Sequence, residues 1–157
     1  MEMLFLIASY LLLRRKSPGR ITSPKVASPV PPIMRNDSQG SGYFGASRGG
    51  RKHHGVDLIV YPGQKVVSPI RGIITLLVAP YPDDSRFSGI EITGDNYKAI
   101  IFNLVPHGGS YAVGSSVRIG DPIGTAQAIS QKYGGGMKDH IHFELFYNGS
   151  RLDPWPI

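Results

Sequence analysis

From Tyr43 onward the chain is cut into short pieces by turn residues: Pro62-Gly63, Pro69, Pro80 to Asp84, Gly94-Asp95-Asn96, Gly108-Gly109, Gly114 and Asn148-Gly149. These steps offer positive φ, a fixed φ or a missing N–H, all of which a helix interior tolerates poorly. Between them no apolar period of 3.6 residues lasts for three turns, which excludes a helical bundle. What remains are β-branched and aromatic runs of strand length. They predict strands at Val56–Tyr61, Lys65–Ser68, Gly72–Val78, Gly89–Thr93, Lys98–Leu104, Ile123–Ala126 and Ile141–Tyr147. The expected class is all-β, with a mainly antiparallel sheet and a few helical turns in the loops.

A length of 157 residues allows one compact domain and a tail. Charge separates the two. Residues 1–52 hold nine Lys/Arg against Glu2 and Asp37, a net of +7, whereas residues 53–157 hold eight Lys/Arg and nine Asp/Glu, a net of −1. The overall excess of +6 therefore belongs to the tail, and a nucleic-acid-binding face on the folded part is not expected. There is no cysteine, which excludes disulfides, thiolate metal sites and a cysteine nucleophile. Any metal must bind to nitrogen and oxygen.

Met3–Leu13 is an apolar run short for a membrane span and about as long as the apolar part of a secretion signal. Glu2 precedes it and Arg14-Arg15-Lys16 follow it, the reverse of the usual charge order. Residues 1–16 thus fit a secretion signal, an inverted anchor or a gene-model artefact, and any membrane contact is expected there alone. Residues 17–42 hold five of the 13 prolines and many Ser and Gly, which predicts a linker, with the domain proper at 43–157. Asn36 and Asn148 begin glycosylation sequons, meaningful only for a secreted chain.

Four of the five histidines fall in two clusters, His53-His54-Gly55-Val56-Asp57 and His140-Ile141-His142. In the second, strand alternation puts Ile141, Phe143 and Leu145 on one face and His140, His142 and Glu144 on the other. Positions two apart on a strand are separated by about 6.6 Å, which suits one metal ligand beside one catalytic or supporting group. In the first, His53 and Asp57 can meet at one ion only if the chain bends, and Gly55 permits a bend. His53, Asp57 and His142 would supply two nitrogens and one carboxylate oxygen. Such a set leaves a fourth tetrahedral position open, as in catalytic rather than structural zinc sites, and Zn²⁺ is the best match by ligand type. His54 and His107 read as exposed loop residues, and Glu144 as either a support for an imidazole or a solvated charge.

His53-x-Gly55-x-Asp57, the Pro-Gly turn, Val66-Val67-Ser68-Pro69, Gly72, Gly120-Asp121-Pro122-Ile123-Gly124-Thr125 and His140-Ile141-His142-Phe143-Glu144 resemble the lysostaphin-type zinc metallopeptidases, metallopeptidase family 23. Gly42 to Arg48, Ser88 to Gly94 and Asp153-Pro154 are similar to the branch that holds leukocyte cell-derived chemotaxin 2 and the myeloid protein mim. The resemblance covers about residues 40–157. It implies a small antiparallel sheet or sandwich domain, duplicated-hybrid-motif-like, with a groove and an irregular N-terminal tail.

The resemblance further implies His53, Asp57 and His142 as zinc ligands and His140 as the residue that helps activate water. A second catalytic histidine of the family falls at Asn103 in this chain. An amide hydrogen-bonds but cannot carry a proton through a reaction cycle. The resemblance thus implies a zinc-binding, catalytically impaired, secreted module of the chemotaxin type, whose partner would be a protein receptor or a peptide in the groove. The competing expectation is an active endopeptidase on peptidoglycan cross-bridges or Gly-containing peptides. The missing cysteines depart from the disulfide-bonded animal relatives and leave stability to the sheet core and the metal.

Overall fold

The computed structural model describes residues 25–157, so the apolar run Met3–Leu13 and the first part of the 17–42 segment lie outside the described residues. The strands in chain order are β1 (Asn36–Asp37), β2 (Gly40–Ser41), β3 (Val56–Ile59), β4 (Lys65–Val67), β5 (Gly72–Val78) and β6 (Gly89–Gly94). They continue with β7 (Tyr97–Phe102), β8 (Leu104–Pro106), β9 (Ser116–Val117), β10 (Pro122–Ala126), β11 (His140–Tyr147) and β12 (Ser150–Leu152). The main sheet runs β12-β11-β7-β6-β5-β9, with β3 also on β11; β4-β10-β8 form a second sheet and β1-β2 a hairpin. Every pairing is antiparallel. The all-β expectation holds, and among the described residues helix is limited to single turns at Gly109–Tyr111 and α1 (Ser130–Tyr133).

β11 organises the molecule because both of its edges are used. One edge pairs first with β3 and then with β12, the other with β7. Ile141, Phe143 and Leu145 point into a core shared with Val56, Leu58, Ile90, Ile92 and Ile101, all nearly or fully buried. His140, His142 and Glu144 consequently face the other way, as strand alternation requires. The register sets His142 opposite Asp57 on β3 and opposite Phe102 on β7. One row across three strands thus brings together residues 57, 102 and 142.

Two expectations differ from the structure. The strand foreseen at Lys98–Leu104 is split: Asn103 adopts φ +64°, so β7 ends at Phe102 in the main sheet and β8 starts at Leu104 in the second. Asn is among the few residues that reach this left-handed region at small cost. The linker foreseen up to residue 42 is packed from Val26 onward. Val30 is 5% exposed in the core, with Val26 and Met34 against it. Backbone bonds fasten the strap: Ala27 N–H donates to Pro69 O, Val67 N–H to Pro29 O and Ile59 N–H to Ile33 O. Its prolines disfavour helix, but an extended strap that offers carbonyls to neighbouring strands needs few N–H groups of its own.

Gly55 is required for space more than for a bend. Its φ is not positive, yet a Cβ there would run into the Phe143 backbone carbonyl and lie 3.0 Å from His142 Nε2. Gly55→Ala is expected to cost about 1–3 kcal/mol through this overpacking. Urea denaturation of the metal-free protein should show a lowered midpoint, whereas Gly108→Ala, with nothing within 4 Å of its Cβ, should leave it in place.

Candidate metal centre

His53 lies in the loop ahead of β3, where its backbone N–H donates to Ala46 O and its carbonyl accepts from Gly45 N–H. Its ring reaches across to β11. His53 Nε2 is 3.0 Å from His142 Nδ1 and 3.1 Å from Asp57 Oδ1, and His142 Nδ1 is 2.9 Å from Asp57 Oδ1. The three form a group able to hold a metal ion. Three atoms about 3 Å apart share a point about 2 Å from each, which is the zinc–nitrogen and zinc–oxygen bond length.

The hydrogen bonds on the far side of each ring fix which nitrogen carries the proton. His53 Nδ1 faces Tyr43 O at 2.9 Å and His142 Nε2 faces Glu144 Oε1 at 3.2 Å, so both act as donors there. With those protons outward the inward nitrogens would offer lone pairs to a cation, whereas a proton on an inward nitrogen is shared with Asp57 Oδ1. Glu144 is itself held by Arg151 Nε at 3.3 Å and Nη2 at 2.9 Å, completing a carboxylate–histidine support of the kind metal-ligating imidazoles use. Glu144 therefore supports an imidazole and is not a solvated charge.

The electrostatics follow this geometry. Burial alone would raise the Asp57 carboxyl, but hydrogen bonds from His142 and His53 hold it far below the carboxylate range. Burial alone would lower His142, yet hydrogen bonds to Asp57 and Glu144 raise it, the response of a ring facing two carboxylates. His140 is lowered, because burial outweighs the Asp57 charge and the Lys138 hydrogen bond that raise it, which favours the neutral ring. Its Nδ1 donates to Lys138 O at 2.7 Å, which leaves the Nε2 lone pair 3.8 Å from Asp57 Oδ1.

Asn103 is 1% exposed. Its Nδ2 donates to His140 O at 3.2 Å, which fixes the orientation of the amide, while Oδ1 is buried without a hydrogen-bond partner. Phe102 stacks on His142 with centroids 5.5 Å apart. His54 is exposed, and His107 lies against Tyr111 away from the group, so neither joins it. A groove of about 350 Å³ opens over the centre, rimmed by Arg51, Tyr81, Tyr133 and Met137. Hollows of about 500 and 600 Å³ beside Arg71 and Gly94 are larger but hold no His/Asp ligand group among the described residues.

Sequence reasoning missed the other side of Asp57. Its Oδ2 accepts from Arg35 Nε at 3.2 Å, Arg35 Nη2 at 3.0 Å and Arg48 Nη2 at 3.1 Å. Arg35 is 2% exposed and also pairs with Asp37 at 2.6 Å. Contacts 22 positions apart leave no periodic trace, and Arg35 lay in a segment read as linker.

The model of a protein family described as peptidase family M23 matches residues 51–154. Myeloid protein 1 of Gallus gallus is 29% identical over 133 residues, 81% of this chain and 38% of that protein. Among solved structures, a zinc-containing peptidase from Vibrio cholerae is 25% identical with a TM-score of 0.57, over 80% of this chain and 37% of that one. The antimicrobial peptidase lysostaphin from Staphylococcus simulans is 23% identical with a TM-score of 0.54, over 76% of this chain and 48% of that one. The chain thus spans half or less of the length of these three proteins.

Proposed function

The chain belongs to peptidase family M23, and from that premise we propose that it is a zinc-binding, peptidase-like module that holds a peptide in its groove and hydrolyses it slowly. The observation that carries this reading is an intact ligand triangle beside Asn103. Zinc, when bound, would polarise a carbonyl and acidify water. His53, Asp57 and His142 would hold it. His140 Nε2, neutral and turned inward, is placed to accept a proton. The opposite wall needs a group that gives a proton or stabilises developing negative charge. Asn103 already spends an N–H on His140 O and has no proton to pass on. Loss of one such group costs about 10² to 10⁴ in rate.

The resemblance to the chemotaxin branch and the similarity to Myeloid protein 1 support an extracellular interaction or signalling role for a module of this kind, with a receptor or peptide as partner. The second reading, an active endopeptidase on peptidoglycan cross-bridges or Gly-containing peptides, is favoured by the inward His140 and by the fold shared with lysostaphin. Elemental analysis of the purified protein is expected to give one zinc per chain, removed by EDTA. Turnover of glycine-rich peptides should fall about 10² to 10⁴ below that of lysostaphin run alongside. Absence of zinc overturns the proposal; EDTA-sensitive turnover equal to lysostaphin's selects the second reading.

A further inference from the structure

Arg35 and Arg48 lie before the 51–154 segment that matches the family, yet both end on the Asp57 oxygen that faces away from the histidines. A carboxylate can bind a cation through one oxygen or chelate it through two. Chelation needs Oδ2 lone pairs, and here three N–H groups from two guanidinium groups occupy them. Only Oδ1 is left for the ion. Arg35 is held in turn. Its backbone N–H donates to Asp57 O, its carbonyl accepts from Gly42 N–H, and Nη1 binds Asp37. Asp37 also accepts from Lys138 N–H at 2.9 Å, and the Lys138 carbonyl takes the His140 Nδ1 proton at 2.7 Å.

We propose that Arg35 and Arg48 are positioning residues of the metal centre. By filling Oδ2 they keep Asp57 a one-oxygen ligand and one coordination position open, and Arg35, through Asp37, ties that carboxylate to the turn that orients His140. This rests on the metal-binding reading above and adds to it the reason that the site stays open.

The test uses Co²⁺ in place of zinc, because the visible absorption of cobalt weakens as its coordination number rises. Wild type is expected to give the strong band of a four-coordinate site, shifted by added azide at the open position. Arg35→Met/Arg48→Met should shift that band and stop responding to azide, since Asp57 Oδ2 can then take the open position. Arg35→Lys/Arg48→Met keeps a buried cation beside Asp57 and Asp37, which protects folding, and should give an intermediate band. Arg48→Met alone, whose side chain is 17% exposed, should shift in the same direction by less. A merely structural role would lower the melting temperature and leave the band alone, so folded variants with wild-type absorption and azide response overturn the proposal. A wild-type protein that takes up neither cobalt nor zinc refutes the metal-binding reading instead.

Discussion

Asp57→Ala is expected to remove zinc binding altogether and, in addition, to destabilise the metal-free protein by about 3–5 kcal/mol. The first effect follows from losing the only oxygen in the ligand triangle. The second follows from what the carboxylate does on its other side. Arg35, at 2% exposure, would keep Asp37 but lose the two N–H contacts to Oδ2, and Arg48 would lose its one carboxylate partner among the described residues. Burying a guanidinium without its counter-charge costs far more than the pair gained over water when intact. Asp57→Asn should sit between, because it keeps an acceptor for Arg35 but not the charge. Zinc content and urea midpoints of the EDTA-treated proteins check both claims. An Asp57→Ala protein as stable as wild type without metal would mean that Arg35 is satisfied by Asp37 alone.

Asn103→His carries the second large effect, an expected rise in peptide hydrolysis of about 10² to 10⁴. The position directly follows β7, one residue past the Phe102 that pairs with His142; it bonds to His140 O and lines the groove, so an imidazole there would face that groove. The backbone does not forbid it, since His is enriched with Asn in the left-handed region that φ +64° occupies. The cost is the amide bond to His140 O, about 1 kcal/mol. Hydrolysis of glycine-rich peptides by zinc-loaded protein reads the result. If that protein stays as slow as wild type, groove shape limits the reaction and the missing proton carrier does not.

The parts of the fold written in local pattern were legible. Alternation along Ile141–Tyr147 gave the strand and its two faces, and β11 carries them in that order. The His53, Asp57 and His142 side chains could be singled out by spacing because metal chemistry restricts the residue types that suffice. What stayed hidden depends on distant partners. Nothing local distinguishes Arg35 from the other basic residues of the tail, and only the fold brings it to Asp57. The break at Asn103 was missed for a related reason: Lys98–Leu104 has unbroken strand character, and the left-handed turn in it is one residue long. Pro29, Pro31 and Pro32 suggested a linker because they exclude helix, which is equally true of the strap they form.

His142 sits on the one strand whose two neighbours, β3 and β7, are both bonded to it at that level. Such a position does not fray, and its amide would open only when the whole sheet does. His53, by contrast, hangs in a loop by a few backbone bonds to Gly45 and Ala46 and one ring bond to Tyr43. An ion entering or leaving is therefore expected to meet one ligand on a strand bonded at both edges and one on a loop, so its exchange rate should respond more to changes in the 43–54 loop than to changes in β11.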